Sequence, residues 1–173
     1  DRGSREGPVV VIKVCRITEA KRLDLLMRAV AELKDEGLLF ELRLVGDGEL
    51  RDELEAQIAS LDIGDVVRLL GRRTDVPECL QEADIYVQSS DVEGLPNALM
   101  EGMASGLPIV ATRAGGTEDL VVPGDNGFLV DTGDWRGLAA HLKTLIGDGP
   151  LRLEMGARSR TLIEADFTMQ RMI

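Results

Sequence analysis

Two cationic and two acidic side chains stand where they could act on one phosphorylated ligand. Arg16 and Lys21 follow an apolar run, and Lys21 falls near the expected start of a helix. Cations are unusual at a helix N-terminus, which itself attracts anions, so this pair favours a bound diphosphate. Glu93 and Glu101 lie eight positions apart in a second loop-to-helix segment, and a carboxylate can accept two hydrogen bonds from a sugar diol. Solvated surface charges stay open as the alternative for the two cations, and a capping acid plus a surface helix charge for the two glutamates.

Three glycine-containing segments are weaker candidates. Gly46 and Gly48 resemble the start of a dinucleotide-binding loop, but Arg51 takes the place of the third glycine. A tight structural turn is therefore favoured there, and an NAD-type dehydrogenase is disfavoured. Segments 71–75 and 113–118 could let backbone approach a ligand, and each is equally well explained as a turn that enters a helix.

The chain alternates apolar, β-branched runs with helical patterns, which predicts repeated β-α units. Strands are expected at Val9–Val14, Phe40–Val45, Val66–Leu70, Ile85–Gln88, Pro108–Thr112 and Gly127–Val130. Helices are expected at Lys21–Glu36, Glu49–Leu61, Val76–Glu82, Pro96–Ser105, Thr117–Val121, Asp134–Ile146 and Pro150–Ala165. The expected caps are Asp134 and either Thr74 or Asp75 at helix N-termini, and Gly37, Gly106 and Gly147 at helix C-termini.

This alternation predicts an α/β fold, a Rossmann-like three-layer sandwich with a parallel sheet of about six strands. In such sheets ligands bind beyond the carboxyl ends of the strands, on the loops that enter the next helix. The segments after Val14 and Gln88 carry the two charged pairs, so both pairs should face the same rim of the sheet.

Composition narrows the classes of function. The chain has 173 residues, enough for one domain with a sizeable core. Its formal net charge is −11, and a surface this acidic repels nucleic-acid phosphates and anionic lipid. Nucleic acid is therefore not an expected partner, whereas a phosphorylated small ligand needs only a few local cations.

The remaining composition argues for an ordinary intracellular domain. Cys15 and Cys79 lie outside any metal-type spacing, and with His141 as the single histidine no metal site is expected. Two free thiols favour a reducing cytoplasm, and His141 is expected to be structural. No run of about 18 apolar residues exists to span a membrane. Residues 1–8 are polar and indicate a linker or boundary before one domain at 9–173.

One long stretch carries a more specific pattern. The sequence EGLPNALMEGMASGLPIVAT, followed by AGGTEDLV and NGFLV, contains the Glu93-x7-Glu101 motif. From Val9 to about Phe167 the chain thereby resembles the donor-binding domain of GT4-type retaining glycosyltransferases, one half of a GT-B fold. The resemblance implies metal-independent transfer of a sugar from a nucleoside-diphosphate sugar to an acceptor glycan, lipid or small molecule. It implies no cofactor and a cytoplasmic enzyme of polysaccharide or glycoconjugate biosynthesis, and leaves a membrane-peripheral parent enzyme open.

The resemblance also implies roles for individual residues. Arg16 and Lys21 would bind the donor diphosphate, and Glu93 would lie beside the transferred sugar; these three form the expected catalytic set. Glu101 would hold the ribose hydroxyls. Two other sets of donor contacts have an expected place, Gly71 and Arg72 along the base and Leu99 beside the nucleoside. The remaining expected donor contacts are Gly94, Leu95, Asn97, Ala98 and Gly116. Backbone amides near Asn97 and Gly116 would be directed at the leaving phosphate.

Some positions depart from the family pattern. Cys15 and Arg22 stand where the family usually has glycine, which puts access of the diphosphate to the loop in question. Gly102 stands where the family usually has alanine, at a modest cost to the helix. The resemblance also implies an N-terminal acceptor domain that is absent from this chain and a last helix cut at Ile173, so the fragment alone is expected to be inactive. A non-catalytic nucleotide-sugar-binding module and a sugar-nucleotide epimerase of similar fold stay open as alternatives.

Overall fold

The computed structural model describes residues 2–171, with side chains up to residue 166. Its strands are β1 (Val9–Val14), β2 (Phe40–Val45), β3 (Val67–Gly71), β4 (Ile85–Gln88), β5 (Ile109–Thr112) and β6 (Gly127–Val130). Its α-helices are α1 (Leu23–Asp35), α2 (Arg51–Ser60), α3 (Val76–Gln81), α4 (Asn97–Ala104), α5 (Thr117–Leu120), α6 (Trp135–Gly147) and α7 (Gly149–Arg171). Asp1 and Ile173, the outer ends of the predicted linker and domain, lie outside the described residues, as does the predicted cut in the last helix.

The six strands form one parallel sheet in the order β3-β2-β1-β4-β5-β6, which confirms the predicted fold class. β1 pairs with β2 along its whole length, from Val9 opposite Phe40 to Val14 opposite Val45. Its pairing with β4 is short and ends at Ile12 opposite Tyr86. The strand order reverses between β1 and β4, and ligands bind at such a switch point in open α/β sheets.

Alternate residues of each strand supply two separate cores, because successive side chains of a strand point to opposite faces. Val11 belongs to the core that α1, α2 and α6 cover. Val10 and Ile12 belong to the core under α3, α4 and α7. A fully buried aliphatic side chain contributes roughly 1.5–3 kcal/mol relative to its exposed state, so both cores hold the sheet firmly beneath its loops. Among the described helices, none is both long and apolar enough to cross a membrane.

Several predicted helix ends are confirmed. The Asp134 carboxylate accepts a hydrogen bond of 2.9 Å from the backbone N–H of Gly137 and caps α6. Gly37 and Gly106 follow α1 and α4 with positive φ angles of 79° and 75°, the left-handed conformation that glycine adopts most readily.

Other predicted ends are wrong for local reasons. Gly147 is the last residue of α6, and the helix is capped at Asp148 instead. Asp75 occupies the N-cap position of α3 without capping it, because its carboxylate pairs with Arg73 at 2.7 Å. α1 begins two residues later than predicted, since Arg22 adopts a left-handed conformation with φ 47° that no α-helix can include.

The segment before β1, predicted as a linker, folds back onto the domain. Arg2 opens a short 3₁₀ turn, and its guanidinium donates hydrogen bonds to four backbone carbonyls. Two of these carbonyls, Leu80 and Ala83, lie at the end of α3, and the other two, Ser105 and Gly106, follow α4. A cation at helix C-termini satisfies carbonyls that lack an intrahelical partner.

Candidate functional site

A cleft of about 350 Å³ opens where β1 and β4 separate. The strands diverge after Ile12 and Tyr86, and their chains leave toward opposite faces of the sheet, to α1 and to α4. The cleft is lined by Lys13, Val14, Cys15, Arg16, Thr18, Lys21, Tyr86, Gln88, Glu93, Leu95, Asn97 and Ala98. The lining therefore holds three cationic side chains and one carboxylate, although the chain as a whole carries a net charge of −11.

Lys21 and Glu93 meet across this cleft. The Lys21 Nζ lies 2.7 Å from Glu93 Oε1, although the two residues are 72 positions apart in the chain. The Ser90 hydroxyl donates a second hydrogen bond of 2.6 Å to the same oxygen. Burial alone would raise the pKa of Glu93, but the hydrogen bonds from Lys21 and Ser90 outweigh it and lower that pKa. Glu93 is therefore held as an anion in the free protein.

Hydrogen bonds between two loops bring this pair together. The Ser89 hydroxyl donates to the Lys21 carbonyl at 2.8 Å, and the backbone N–H of Asp91 donates to the Ala20 carbonyl at 2.9 Å. The loop after β4 is thus attached directly to the loop after β1. Sequence reasoning assigned no role to these small polar residues, since nothing in a Ser-Ser-Asp run distinguishes a loop anchor from a surface turn.

Arg16 lines the same cleft as an exposed side chain. It precedes Ile17, which is buried and whose backbone N–H donates to the Asp47 carbonyl at 3.0 Å. This anchor fixes the backbone on one side of Arg16, while the guanidinium faces the opening. A guanidinium presents two parallel N–H donors, which suits the oxygens of a phosphate.

The expected residues in α4 and just before it differ in where the structure places them. Leu95, Asn97 and Ala98 line the cleft. Leu99 is fully buried in the core beneath α4 and does not line it. Glu101 is exposed and also lies outside the lining, four residues beyond Asn97, so the two side chains share one face of the helix.

The structure shows where the backbone groups and glycines expected around the donor lie. The N–H of Asn97 donates to the Leu95 carbonyl at 2.9 Å, so this amide is already engaged. Gly94 and Gly116 do not belong to the cleft lining, and neither do Gly71 and Arg72.

The glycines of two other loops serve loop-to-loop packing. A Cβ on Gly46 would lie 1.8 Å from the Cys15 carbonyl oxygen, and one on Gly48 would lie 2.4 Å from that of Ile17. Likewise, a Cβ on Gly115 would lie 1.9 Å from the Glu93 carbonyl oxygen. These distances confirm the predicted structural turn at 46–48, because only glycine lets the loops approach so closely.

Lys13 is the charged cleft residue that sequence reasoning missed. It is only 1% exposed, and its Nζ lies 5.9 Å from the ring centroid of Tyr86. Burial lowers the pKa of Lys13, while the nearby Glu93 acts in the opposite direction. The available signal was its position, as the one charge inside the apolar run Val9–Val14.

Tyr86 explains one departure from the family pattern. A Cβ on Gly102 would lie only 3.0 to 3.3 Å from atoms of the fully buried Tyr86 side chain. Glycine in α4 thus makes room for a large ring on β4.

The predicted structural role of His141 agrees with its position, since its ring stacks on Phe128 with centroids 4.4 Å apart.

A larger cavity of about 740 Å³ lies on the other side of the loop after β1. Its charged lining comprises one cation, Arg22, and the acids Glu19, Asp24, Glu49, Glu53 and Asp91.

Both cysteines are free thiols. In the segment of the chain that the structure describes, no three His, Cys, Asp or Glu side chains are grouped to hold a metal ion.

Known proteins are similar to this chain in sequence and in fold. Residues 1–162 match the family model of glycosyl transferases group 1. The lipopolysaccharide core biosynthesis glycosyltransferase LpsE of Rhizobium meliloti strain 1021 is 33% identical over 98% of this chain and 50% of its own length. The chain thus spans about half the length of the curated relatives it matches.

Solved structures agree. Anabaena Alr3699/HepE, crystallised in complex with UDP and glucose, is 28% identical with a TM-score of 0.87, over 96% of this chain and 47% of HepE. A mutant of S. aureus TarM, crystallised with Fondaparinux, alpha-GlcNAc-glycerol and UDP, superposes with a TM-score of 0.90 at 23% identity, over 95% of this chain and 34% of TarM. The predicted Rossmann-like half of a GT-B fold is confirmed.

Proposed function

Because the chain belongs to the glycosyl transferases group 1 family, we propose that it is the donor-binding domain of a GT4-type retaining glycosyltransferase. A nucleoside-diphosphate sugar binds between β1 and β4, and its sugar passes to an acceptor glycan, lipid or small molecule bound by a second domain. The observation that supports this most is the meeting of Arg16, Lys21 and Glu93 at one cleft, from loops far apart in the chain.

Arg16 and Lys21 would act on the leaving group. When the bond between the anomeric carbon and the diphosphate oxygen breaks, negative charge grows on the departing phosphate and positive charge on the sugar. Fixed cations beside that phosphate stabilise the transition state more than the ground state. In this proposal the two side chains supply that charge without a metal ion or other cofactor.

Glu93 would orient the sugar, and α4 would hold the nucleoside. Glu93 is kept as an anion and can accept hydrogen bonds from two sugar hydroxyls. Glu101 lies on the same face of α4 as Asn97, which lines the cleft, so it can accept the ribose hydroxyls of a nucleotide lying along the helix. The fully buried Leu99 is left out of the proposed contacts.

The relatives guide the choice of ligand. HepE has been crystallised with UDP and glucose at 28% identity to this chain, which makes UDP the first nucleotide to test. We propose a role in polysaccharide or glycoconjugate synthesis in the cytoplasm, and that transfer needs the acceptor-binding domain of a longer enzyme. Steady-state turnover by this chain alone, given UDP-glucose and acceptor sugars, would contradict that requirement.

Calorimetry on this chain tests donor binding directly. UDP, GDP, ADP and inorganic pyrophosphate are titrated into the unmodified protein and into Arg16→Ala and Lys21→Ala. We expect one nucleoside diphosphate to bind better than the others and both substitutions to weaken it. Lys143→Met, which removes an exposed cation paired with Glu36, should bind like the unmodified protein. If no nucleoside diphosphate binds, the proposed function is wrong.

A further inference from the structure

Lys13 is an unexpected residue for the centre of a sheet. Among the described residues it is the only charged side chain that is buried, at 1% exposure. Burying an ammonium group is costly unless an opposite charge or strong hydrogen bonds compensate it. An aliphatic side chain would fill the same position in β1 without that cost, so the location of Lys13 requires a reason.

The position of Lys13 directs it to the cleft. The pairing of β1 with β4 ends at Ile12, one residue earlier, and Lys13 lines the cleft that opens beyond that point. Its Nζ lies near the face of the Tyr86 ring, at 5.9 Å from the centroid. Among the residues that the structure describes, no carboxylate lies close enough to form an ion pair with Lys13, so it interacts with this ring and with charges at longer range.

Glu93 is the carboxylate that lines the same cleft as Lys13. Lys13 acts to lower the pKa of Glu93, and Glu93 acts to raise that of Lys13. The other titratable or charged groups around the two are Cys15 on β1, Arg16 and Lys21 on the loop after β1, Tyr86 on β4 and Glu101 on α4.

The proposed function assigns Lys21 two anionic partners. In the free protein its ammonium forms an ion pair with Glu93 at 2.7 Å, whereas a bound donor would bring a diphosphate to the same side chain. Glu93 is half-buried, and a half-buried carboxylate without a cation tends to bind a proton. A protonated Glu93 would have one O–H donor and a smaller capacity to accept hydrogen bonds from a sugar.

We propose that Lys13 is a positioning residue that keeps Glu93 anionic while Lys21 binds the donor diphosphate. This inference rests on the proposed function. Lys13 is buried in β1 and lines the same cleft as Glu93, so it can remain there when the loop cation turns to the ligand. In the free protein the cost of burying Lys13 is offset by the Tyr86 ring and by charges at longer range. In the ligand-bound state Lys13 would face a Glu93 that no longer pairs with Lys21, so the cost would be offset more fully.

NMR titration of Glu93 tests the inference with UDP as the probe. The side-chain carboxyl carbons of glutamates are labelled with ¹³C, and Glu93→Gln identifies the Glu93 signal. In Lys13→Met we expect only a small change of the Glu93 midpoint in the free protein, where Lys21 still pairs with Glu93. With saturating UDP the Glu93 midpoint should rise by about one pH unit relative to the unmodified protein, as expected on losing a nearby cation. Lys13→Arg should restore the original midpoint.

A second series needs no ligand. Lys21→Met imitates the withdrawal of Lys21, and Lys13 should then keep the Glu93 midpoint within about one pH unit of the original. The double variant Lys13→Met, Lys21→Met should raise the midpoint by more than the sum of the two single changes. Lys143→Met serves as the matched control and should change nothing. If Lys13→Met does not fold, Lys13→Gln takes its place.

The outcomes separate the two proposals. If UDP binds but the Glu93 midpoint is insensitive to Lys13→Met in both series, this inference is overturned and the proposed function is left intact. That result would also follow if Lys13 were uncharged in the folded protein. Failure of the unmodified chain to bind any nucleoside diphosphate would overturn the proposed function and, with it, the ligand-bound role of Lys13.

Discussion

The two cavities beside the loop after β1 share Thr18 but differ in size and charge. The larger, of about 740 Å³, is lined by apolar groups and five acids with a single cation. The smaller, of about 350 Å³, carries three cations and one carboxylate. A phosphorylated ligand is repelled by the first and attracted by the second. Volume alone would therefore favour the larger cavity, whereas the placement of charge favours the one at the switch point of the sheet.

The largest expected effect comes from a glycine that packs against Cys15, one of the residues that line the smaller cavity. Gly46→Ala would place a Cβ 1.8 Å from the Cys15 carbonyl oxygen, at a φ of 134° that other residues rarely adopt. We expect the free energy of unfolding to fall by about 3 kcal/mol or more. Urea denaturation measures it. Gly147→Ala, in a helix with open space around it, should leave stability unchanged or raise it by up to about 1 kcal/mol.

The next effect separates two adjacent cations. Lys21 lines the smaller cavity and Arg22 the larger. Lys21→Ala should weaken nucleotide binding by roughly 1.5–3 kcal/mol, the range for a hydrogen bond to a charged group. Arg22→Gly should leave the affinity unchanged, since Arg22 faces the acidic cavity. Calorimetry with the nucleoside diphosphate that binds best compares the two variants. An equal loss of affinity in both would contradict the assignment of the ligand to the smaller cavity.

A smaller effect appears in the pH dependence of stability. The folded protein lowers the pKa of Glu93 below its ordinary 4.5, although burial alone would raise it. The carboxylate therefore contributes stability above the unfolded pKa, and this contribution is lost as pH falls through the folded pKa. We expect the stability difference between the unmodified protein and Glu93→Gln, on the order of 1 kcal/mol at neutral pH, to shrink below about pH 4.5. A difference that is constant from about pH 7 to about pH 3 would contradict an ionised Glu93.

The smallest effect concerns Arg22, the left-handed residue that lines the larger cavity. Arg22→Gly relieves a φ of 47° but removes hydrogen bonds to Asp24 and Asp91 at 3.0 Å. Each of these partly exposed ion pairs contributes little, and left-handed backbone costs a non-glycine residue about as much. We expect a net change within about 0.5 kcal/mol in urea denaturation. A large loss would show that the Arg22 pairs hold the loop in place.

The sheet was predictable because continuous apolar runs carry its signal. β1, β2, β4 and β6 begin and end at the predicted residues, and the alternation of strands and helices was sufficient for the fold class. The meeting of Arg16, Lys21 and Glu93 followed from the rule that parallel strands end at the same rim. Helix starts were less accurate, since a left-handed Arg22 leaves no mark in a sequence that is helical in pattern through that position.

The rest of the site depends on contacts between distant segments. The glycines at 46–48 and at 115 make room for neighbouring loops, and a glycine alone does not reveal which backbone approaches it. Leu99 resembles a ligand-facing residue in the motif, yet α4 turns it into the core. Lys13 was visible as a charge within a strand, but its meaning required knowing that the pairing of β1 with β4 stops just before it.

The contacts of Arg2 bear on how this domain could be excised or fused. One guanidinium joins the ends of two helices that belong to different β-α units. A shortened version starting at Val9 would keep every strand and both cores, yet would leave four carbonyls at those helix ends to water. A fusion that joins this domain to the end of another protein should therefore have its junction before Arg2. The polar segment 2–8 then stays with the domain whose helix ends Arg2 holds together.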